Sequence, residues 1–175
     1  MRGPTGAALR QLLPVVLILV IESAGDGSEV PTSRGRLVRH PKARFPLTVY
    51  VAPPADPALG APLRDAVTHW NEVFTATFGV TAFTWGEREA EAHVVLRFVS
   101  GSPAHLMGQT SLDADGEGVL RLPVEITLVQ PTARGQTSPG QLLFQVAAHE
   151  LGHALGLPHA NEPASIMCCD RGPLN

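Results

Sequence analysis

Runs of one charge are missing from this 175-residue chain. Charged residues make up 17%, the formal net charge is −3, and no stripe of lysine and arginine stands out. A nucleic-acid partner is disfavoured, because phosphate binding needs clustered cations. Cysteine is scarce as well: the chain holds two, adjacent at Cys168 and Cys169. Spaced pairs that could staple a small fold are absent, so this is not a disulfide scaffold. An apolar run long enough to cross a membrane is also lacking. "LLPVVLILVI" (Leu12 to Ile21) lies in a stretch of 11 uncharged residues between Arg10 and Glu22, well short of the roughly 20 a spanning helix needs. With Arg2 and Arg10 before it and the small residues Ser23 to Gly25 after it, residues 1–25 read as a cleaved signal peptide. No cysteine stands directly after the apolar run, so a lipid anchor has no attachment point there. The chain is expected to be secreted, extracellular or periplasmic, with no stable membrane insertion, and to act as a monomer.

What is present suits one globular domain. Hydrophobic residues reach 44%, enough for a core, and 17 glycines and 16 prolines imply many turns. Residues 26–44 are rich in Gly, Ser, Pro, Arg and Lys and read as a linker or short pro-segment, leaving 45–175 as the domain. "FPLTVYVA" (45–52) predicts a strand. Leu63, Ala66, Val67, Trp70, Phe74 and Phe78 recur at helical spacing, with Gly79 as the stop. "VTAFTW" (80–85) and "HVVLRFVS" (93–100) read as strands. "GQTSLDA" and "VLRLPVEITLV" read as an antiparallel pair around the turn "DGEG", kinked at Pro123. Ser138 and Pro139 then open a second helix as N-cap and first residue, and Gly156 closes it. The order strand, helix, strands, helix implies an α/β fold, a twisted and mostly parallel sheet with two long helices packed on it.

The second helix ends in "HELGHALGLPH" (149–159). His149 and His153 are four apart, so they share a face one turn apart and can bind one metal ion together. Gly156 lets the chain leave the helix and turn back, which carries His159 towards them. Three imidazoles and a water give Zn²⁺ a tetrahedral site with one open position, the mark of a catalytic site rather than a closed structural one. Zinc would acidify its water and polarise a carbonyl, and Glu150, beside the ligands, is placed to take the proton as general base. The expected reaction is peptide-bond hydrolysis without a covalent intermediate.

"HELGHALGLPH" resembles the HExxHxxGxxH signature of the metzincin metalloproteases. "SIM" (165–167) supplies the Met-turn, with Met167 8 residues after His159, the spacing of the matrixins, the matrix-metalloproteinase branch. "HANEPASIM", "FPLTVYV" and "HVVLRFVS" also resemble matrixin stretches, the last two those of minimal bacterial forms. The resemblance covers about residues 45 to 169. It implies an α+β zincin-type fold with one antiparallel edge strand, His149, His153 and His159 as zinc ligands, Glu150 as base, and Met167 as an apolar floor that does not ligate. It further implies that an extended polypeptide substrate pairs with the edge strand, here Gln109, Thr110, Ser111 and Leu112 to Asp113, after the loop Gly101 to Gly108.

Several features depart from that family. Animal matrixins carry a second zinc and several calcium ions beside a loop rich in His, Asp and Gly. The matching stretch here has Asp113, Asp115 and Glu117 but no His, and reads as a polar turn with Ca²⁺ as the alternative. His93 and His105 lack a partner cluster for a second zinc, and His40 and His69 are expected to be solvated. No cysteine precedes Cys168, so a cysteine switch is absent. For Cys168 and Cys169 three roles stand open: a thiolate on the metal, a rare vicinal disulfide, or small buried side chains, the last being the expected one. The chain ends at Asn175, where matrixins continue with a specificity loop and a closing helix. The C-terminal part is therefore expected to be short. This yields a second functional reading: a zinc-binding but proteolytically inactive peptide-binding domain.

Overall fold

The first strand, β1 (Leu47–Val51), buries Leu47 and Val49 on alternate positions, the pattern of a strand with one face on a core. In the computed structural model, residues 37–54, 56–99, 107–132 and 136–168 are described; the expected signal peptide, most of the linker, His105 and Cys169 lie outside them. The first helix, α1 (Gly60–Phe78), buries Leu63, Ala66, Val67, Trp70 and Phe74. It stops at Gly79, whose φ of 66° is the left-handed conformation glycine adopts without steric cost. Phe78 has the same spacing but is 56% exposed and rests on the Phe74 ring. Strands β2 (Phe83–Trp85), β3 (Val94–Val99), β4 (Gly108–Ser111) and β5 (Val124–Val129) follow, and the second helix, α2 (Pro139–Ala154), completes the described elements.

The sheet order is β2-β1-β3-β5-β4. β1 pairs parallel with β2 and β3, β3 pairs parallel with β5, and β4 runs antiparallel to β5 with Gly108 opposite Leu128 and Ser111 opposite Glu125. This is the expected α/β architecture, a mostly parallel sheet with one antiparallel edge strand. The two helices pack on each other, and α2 lies along β4 and β5. Between helices and sheet sits one apolar cluster that includes Leu47, Trp70, Phe83, Ile126, Leu143 and Leu151.

The antiparallel pair differs from the expected hairpin. β4 stops at Ser111 and β5 begins only after Pro123, so "DGEG" does not join them directly; an isolated bridge, Ala114 to Leu120, and the bonds from Arg121 N–H to Asp113 O and from Asp115 N–H to Val119 O flank it. Two local causes are visible. Pro123 has no N–H to give a ladder. Asp115 Oδ1 accepts the backbone N–H groups of Glu117 and Val119, each at 2.9 Å, an Asx turn that competes with strand pairing.

The end of the expected linker is packed rather than free. Residues 37–44 run along the 115–120 loop, with Arg39 N–H donating to Gly118 O and Leu120 N–H to Arg39 O, both at 2.9 Å. His40, expected to be solvated, is 8% exposed. Its Nε2 meets the carbonyl of Ala154 at 2.8 Å, and Arg44 Nη1 donates to its Nδ1 at 3.1 Å. Both ring nitrogens thus find partners that a solvated histidine would take from water.

Candidate metal centre and active site

The centre is built from the C-terminal half of α2 and the turn after it. The helix starts where its caps require. Ser138 Oγ accepts the Gln141 N–H, and Gln141 Oε1 accepts the Ser138 N–H, both at 3.2 Å, with Pro139 in the first turn; this reciprocal pair satisfies two otherwise unpaired donors. At the other end Gly156 has φ 93°. Its N–H bonds to His153 O at 2.8 Å and the Leu157 N–H returns to Gly152 O at 3.0 Å, closing the last turn. A Cβ on Gly156 would lie 2.6 Å from the Val38 carbonyl oxygen. Glycine is therefore required there both for its backbone angle and for the approach of the 37–44 segment. The bend returns His159 to the helix face.

The Nε2 atoms of His149, His153 and His159 lie 3.1 Å from one another in all three pairs. His149 Nδ1 sits 2.9 Å from the Ile166 carbonyl and His153 Nδ1 2.8 Å from the Leu157 carbonyl. A carbonyl can only accept, so these Nδ1 atoms carry the protons and the Nε2 lone pairs of His149 and His153 face one another, with His159 Nε2 beside both. Facing lone pairs repel unless a cation lies between them. Ligands about 2.0–2.1 Å from a tetrahedral zinc would be separated by about 3.4 Å, close to what is seen. The donor set therefore fits a metal, and among the described residues this is the group of three or more ligating side chains able to hold one. Burial holds the His153 imidazole below its ordinary range, favouring the neutral form that ligation needs.

Glu150 points to the sheet side of the same helix turn and is 6% exposed. Burial pushes its carboxyl above the usual range, opposed by a hydrogen bond from Thr110. Met167, 4% exposed, lies against α2 at Gly152, where a Cβ would strike its Sδ and come within 2.8 Å of Trp70 Cζ2. The Trp70 indole donates to the Ala148 carbonyl at 2.7 Å, fixing α1 to the helix that carries His149 and His153. Met167 O accepts the Ala160 N–H at 2.8 Å, so the Met-turn also braces the strand of chain next to His159.

Beside the triad opens a cleft of about 1200 Å³, lined in part by Met107, Val146, His149, Glu150, His159 and Ile166. His69, expected to be solvated, is half-buried, packs edge-on to Trp70 and Phe144, and lines this cleft. Cys168 also lines it, half-buried and disulfide-bonded rather than a plain buried side chain. His93 accepts the Thr48 N–H on its Nδ1 at 3.0 Å, a structural role. Asp113 lies 3.6 Å from Arg121 Nε, and Asp115 holds its own turn. Of the expected substrate residues, Gln109 and Ser111 face solvent on β4, while Thr110 turns inward to Glu150. Gly152, Trp70, Gly108 and His40 also belong to this site, although their spacing in the sequence does not mark them as such. Gly152 stood inside the motif, and its small size was the only signal.

Residues 103–170 match the family described as Matrixin. Matrix metalloproteinase-16 from Rattus norvegicus is 31% identical over 135 residues, covering 64% of this chain and 20% of that protein. Macrophage metalloelastase from Oryctolagus cuniculus is 68% identical over 28 residues, 16% of this chain and 6% of its own length. This chain thus spans about a fifth or less of the curated relatives it matches. Among solved structures, metalloproteinase-II from Bacteroides fragilis superposes with a TM-score of 0.44 at 15% identity, over 75% of this chain and 50% of that one. Myroilysin does so with 0.41 at 19%, over 65% and 48%. The chain is thus matrixin-like over residues 103–170, a stretch that includes His149, His153, His159 and Met167.

Proposed function

We propose that this chain is an exported zinc metalloendopeptidase that hydrolyses internal peptide bonds of extended polypeptides. The observation that carries the reading is the convergence of three Nε2 atoms at 3.1 Å with the buried Glu150 carboxylate on the same helix turn. His149, His153 and His159 would hold the ion, which supplies an acidified water and a Lewis acid for the scissile carbonyl. Glu150 takes the proton of the attacking water and delivers it to the leaving amine. Export is supported by the N-terminal charge and apolar pattern.

Substrate binding is assigned to the outer edge of β4. That strand pairs with β5 on one side and lies at the end of the sheet order, beside the cleft. Main-chain groups of Gln109, Thr110, Ser111 and Leu112 would add the substrate as a further strand. Ca²⁺ has weaker support, since Asp113 and Asp115 already serve an ion pair and a turn.

The test uses the full chain loaded with zinc and a quenched fluorescent peptide library. Glu150→Ala is expected to keep one zinc per chain and to lower kcat/KM by about 10²–10⁴-fold, the usual contribution of a positioned acid–base group. Equal cleavage by the two proteins would overturn the reading. Zinc binding without cleavage by either would favour a peptide-binding domain instead.

A further inference from the structure

The edge strand does something for the base that its place beside a substrate does not require. β4 alternates, with Gly108 and Thr110 turned inward and Gln109 and Ser111 outward, as the two-residue period of a strand demands. The inward pair meets α2 at one residue. Thr110 Oγ1 lies 2.6 Å from Glu150 Oε2 and 3.0 Å from the Glu150 backbone oxygen. A Cβ on Gly108 would lie 2.8 Å from Glu150 Cγ, 2.8 Å from Glu150 Oε1 and 2.7 Å from Val146 Cγ1.

We propose that Gly108 and Thr110 together form the seat of the Glu150 carboxylate, with Thr110 a positioning residue for the base. A carboxylate this buried needs a donor in place of lost water. The threonine hydroxyl has one proton to give, and the shorter contact, to Oε2, marks the charged acceptor as its partner. The lone pairs of the hydroxyl stay clear of the carboxylate, because the proton lies between them. Oε1 is then the oxygen left for the proton of the attacking water, and it occupies the space that glycine leaves open. A larger residue at 108 would push the carboxylate off the strand. An apolar residue at 110 would leave Oε2 buried without a donor and the side chain free to rotate. This inference rests on the reading of Glu150 as the base.

Four full-length, zinc-loaded variants test it: Thr110→Val, Thr110→Ala, Thr110→Ser and Gly108→Ala. Zinc content, thermal unfolding, peptide cleavage and the dissociation constant of acetohydroxamic acid are measured for each. Acetohydroxamic acid is a metal chelator with an acidic proton that a carboxylate beside the metal would accept, so its affinity would report on Glu150 without turnover. Thr110→Val and Thr110→Ala are expected to keep one zinc, to lower kcat about tenfold or more with little change in KM, and to weaken acetohydroxamic acid by about tenfold, the scale of one hydrogen bond to a charged group. Should Thr110→Val fail to fold, Thr110→Ala carries the same expectation. Thr110→Ser restores both values to within about threefold, since it keeps the hydroxyl. Gly108→Ala weakens acetohydroxamic acid while keeping zinc. If the valine and alanine variants bind acetohydroxamic acid like the parent, or if serine fails as they do, the seat is overturned. If the parent binds zinc and acetohydroxamic acid but cleaves nothing, the protease reading fails and the affinity series still decides the role of Thr110.

Discussion

Gly152 stands on the side of α2 that meets the core, directly under the turn that carries His149 and His153. Its missing side chain is what lets Met167 and Trp70 reach the helix backbone. In a close-packed interior such room is not refilled cheaply. Gly152→Ala gains helix propensity, yet its Cβ must displace a buried thioether and an indole that is tied to Ala148. The clash outweighs the propensity, and the variant is expected to lose about 1–3 kcal/mol, the range for overpacking a core. Denaturant unfolding of the two proteins measures it; an unchanged midpoint and slope would mean that Met167 does not pack there. At this scale the shared face of His149 and His153 was readable from spacing alone, because four residues along a helix are always one turn apart. Gly152 was not, since nothing local says which side of a helix a distant methionine will occupy.

At the scale of elements, the segment 37–44 acts on α2 from far away in sequence. His40 binds the carbonyl of Ala154, 114 residues on, and Val38 faces Gly156 at the bend that returns His159. One of the last carbonyls of α2, which an α-helix leaves without an internal partner, is satisfied by this histidine. Burial, with Arg44 and His93 as charged neighbours, holds its pKa below the ordinary value of 6.5. The sign follows. Above about 6.5 His40 is neutral in both folded and unfolded chains; as pH falls below it, the unfolded chain binds the proton first and stability drops until the folded value is reached. His40→Gln keeps a donor for Ala154 O without a titrating ring. Its thermal midpoint is expected to fall less between pH 7.5 and 5.5 than that of the parent, in melts of both proteins at matched zinc. Parallel declines would remove His40 from the pH response. The composition of residues 26–44 read as linker because charge and glycine content describe a segment's average, whereas one buried histidine and one carbonyl decide whether its end docks.

At the scale of the whole molecule, the metal site joins parts that the chain visits separately: α2, the returning turn at His159 and, through the Ile166 carbonyl on His149, the Met-turn. A ligand that binds only this arrangement stabilises the folded state by mass action, by about 2.7 kcal/mol at a hundredfold excess over its dissociation constant. Chelation is therefore expected to abolish cleavage and lower the thermal midpoint, and added zinc to restore both; a midpoint indifferent to zinc would show that the triad does not bind it in the folded protein. The same scale separates what was legible from what was not. Helix α1, the capped start of α2, the parallel strands, the antiparallel partner and the gathering of His149, His153 and His159 follow from periods of two and 3.6 residues, from caps and from glycine stops, all of them short-range rules. The seat of Glu150 does not. β4 follows β3 in the chain, yet β5 inserts between them in the sheet, and only that order brings Gly108 and Thr110 against a glutamate 40 residues away. The sequence by itself determined which residues can hold a metal, because their spacing is built into one helix and one turn. Tertiary structure alone decided what holds Glu150, lines the cleft and closes the helix end, because those contacts depend on which edge of the sheet each strand takes and how far the glycines let its neighbours approach.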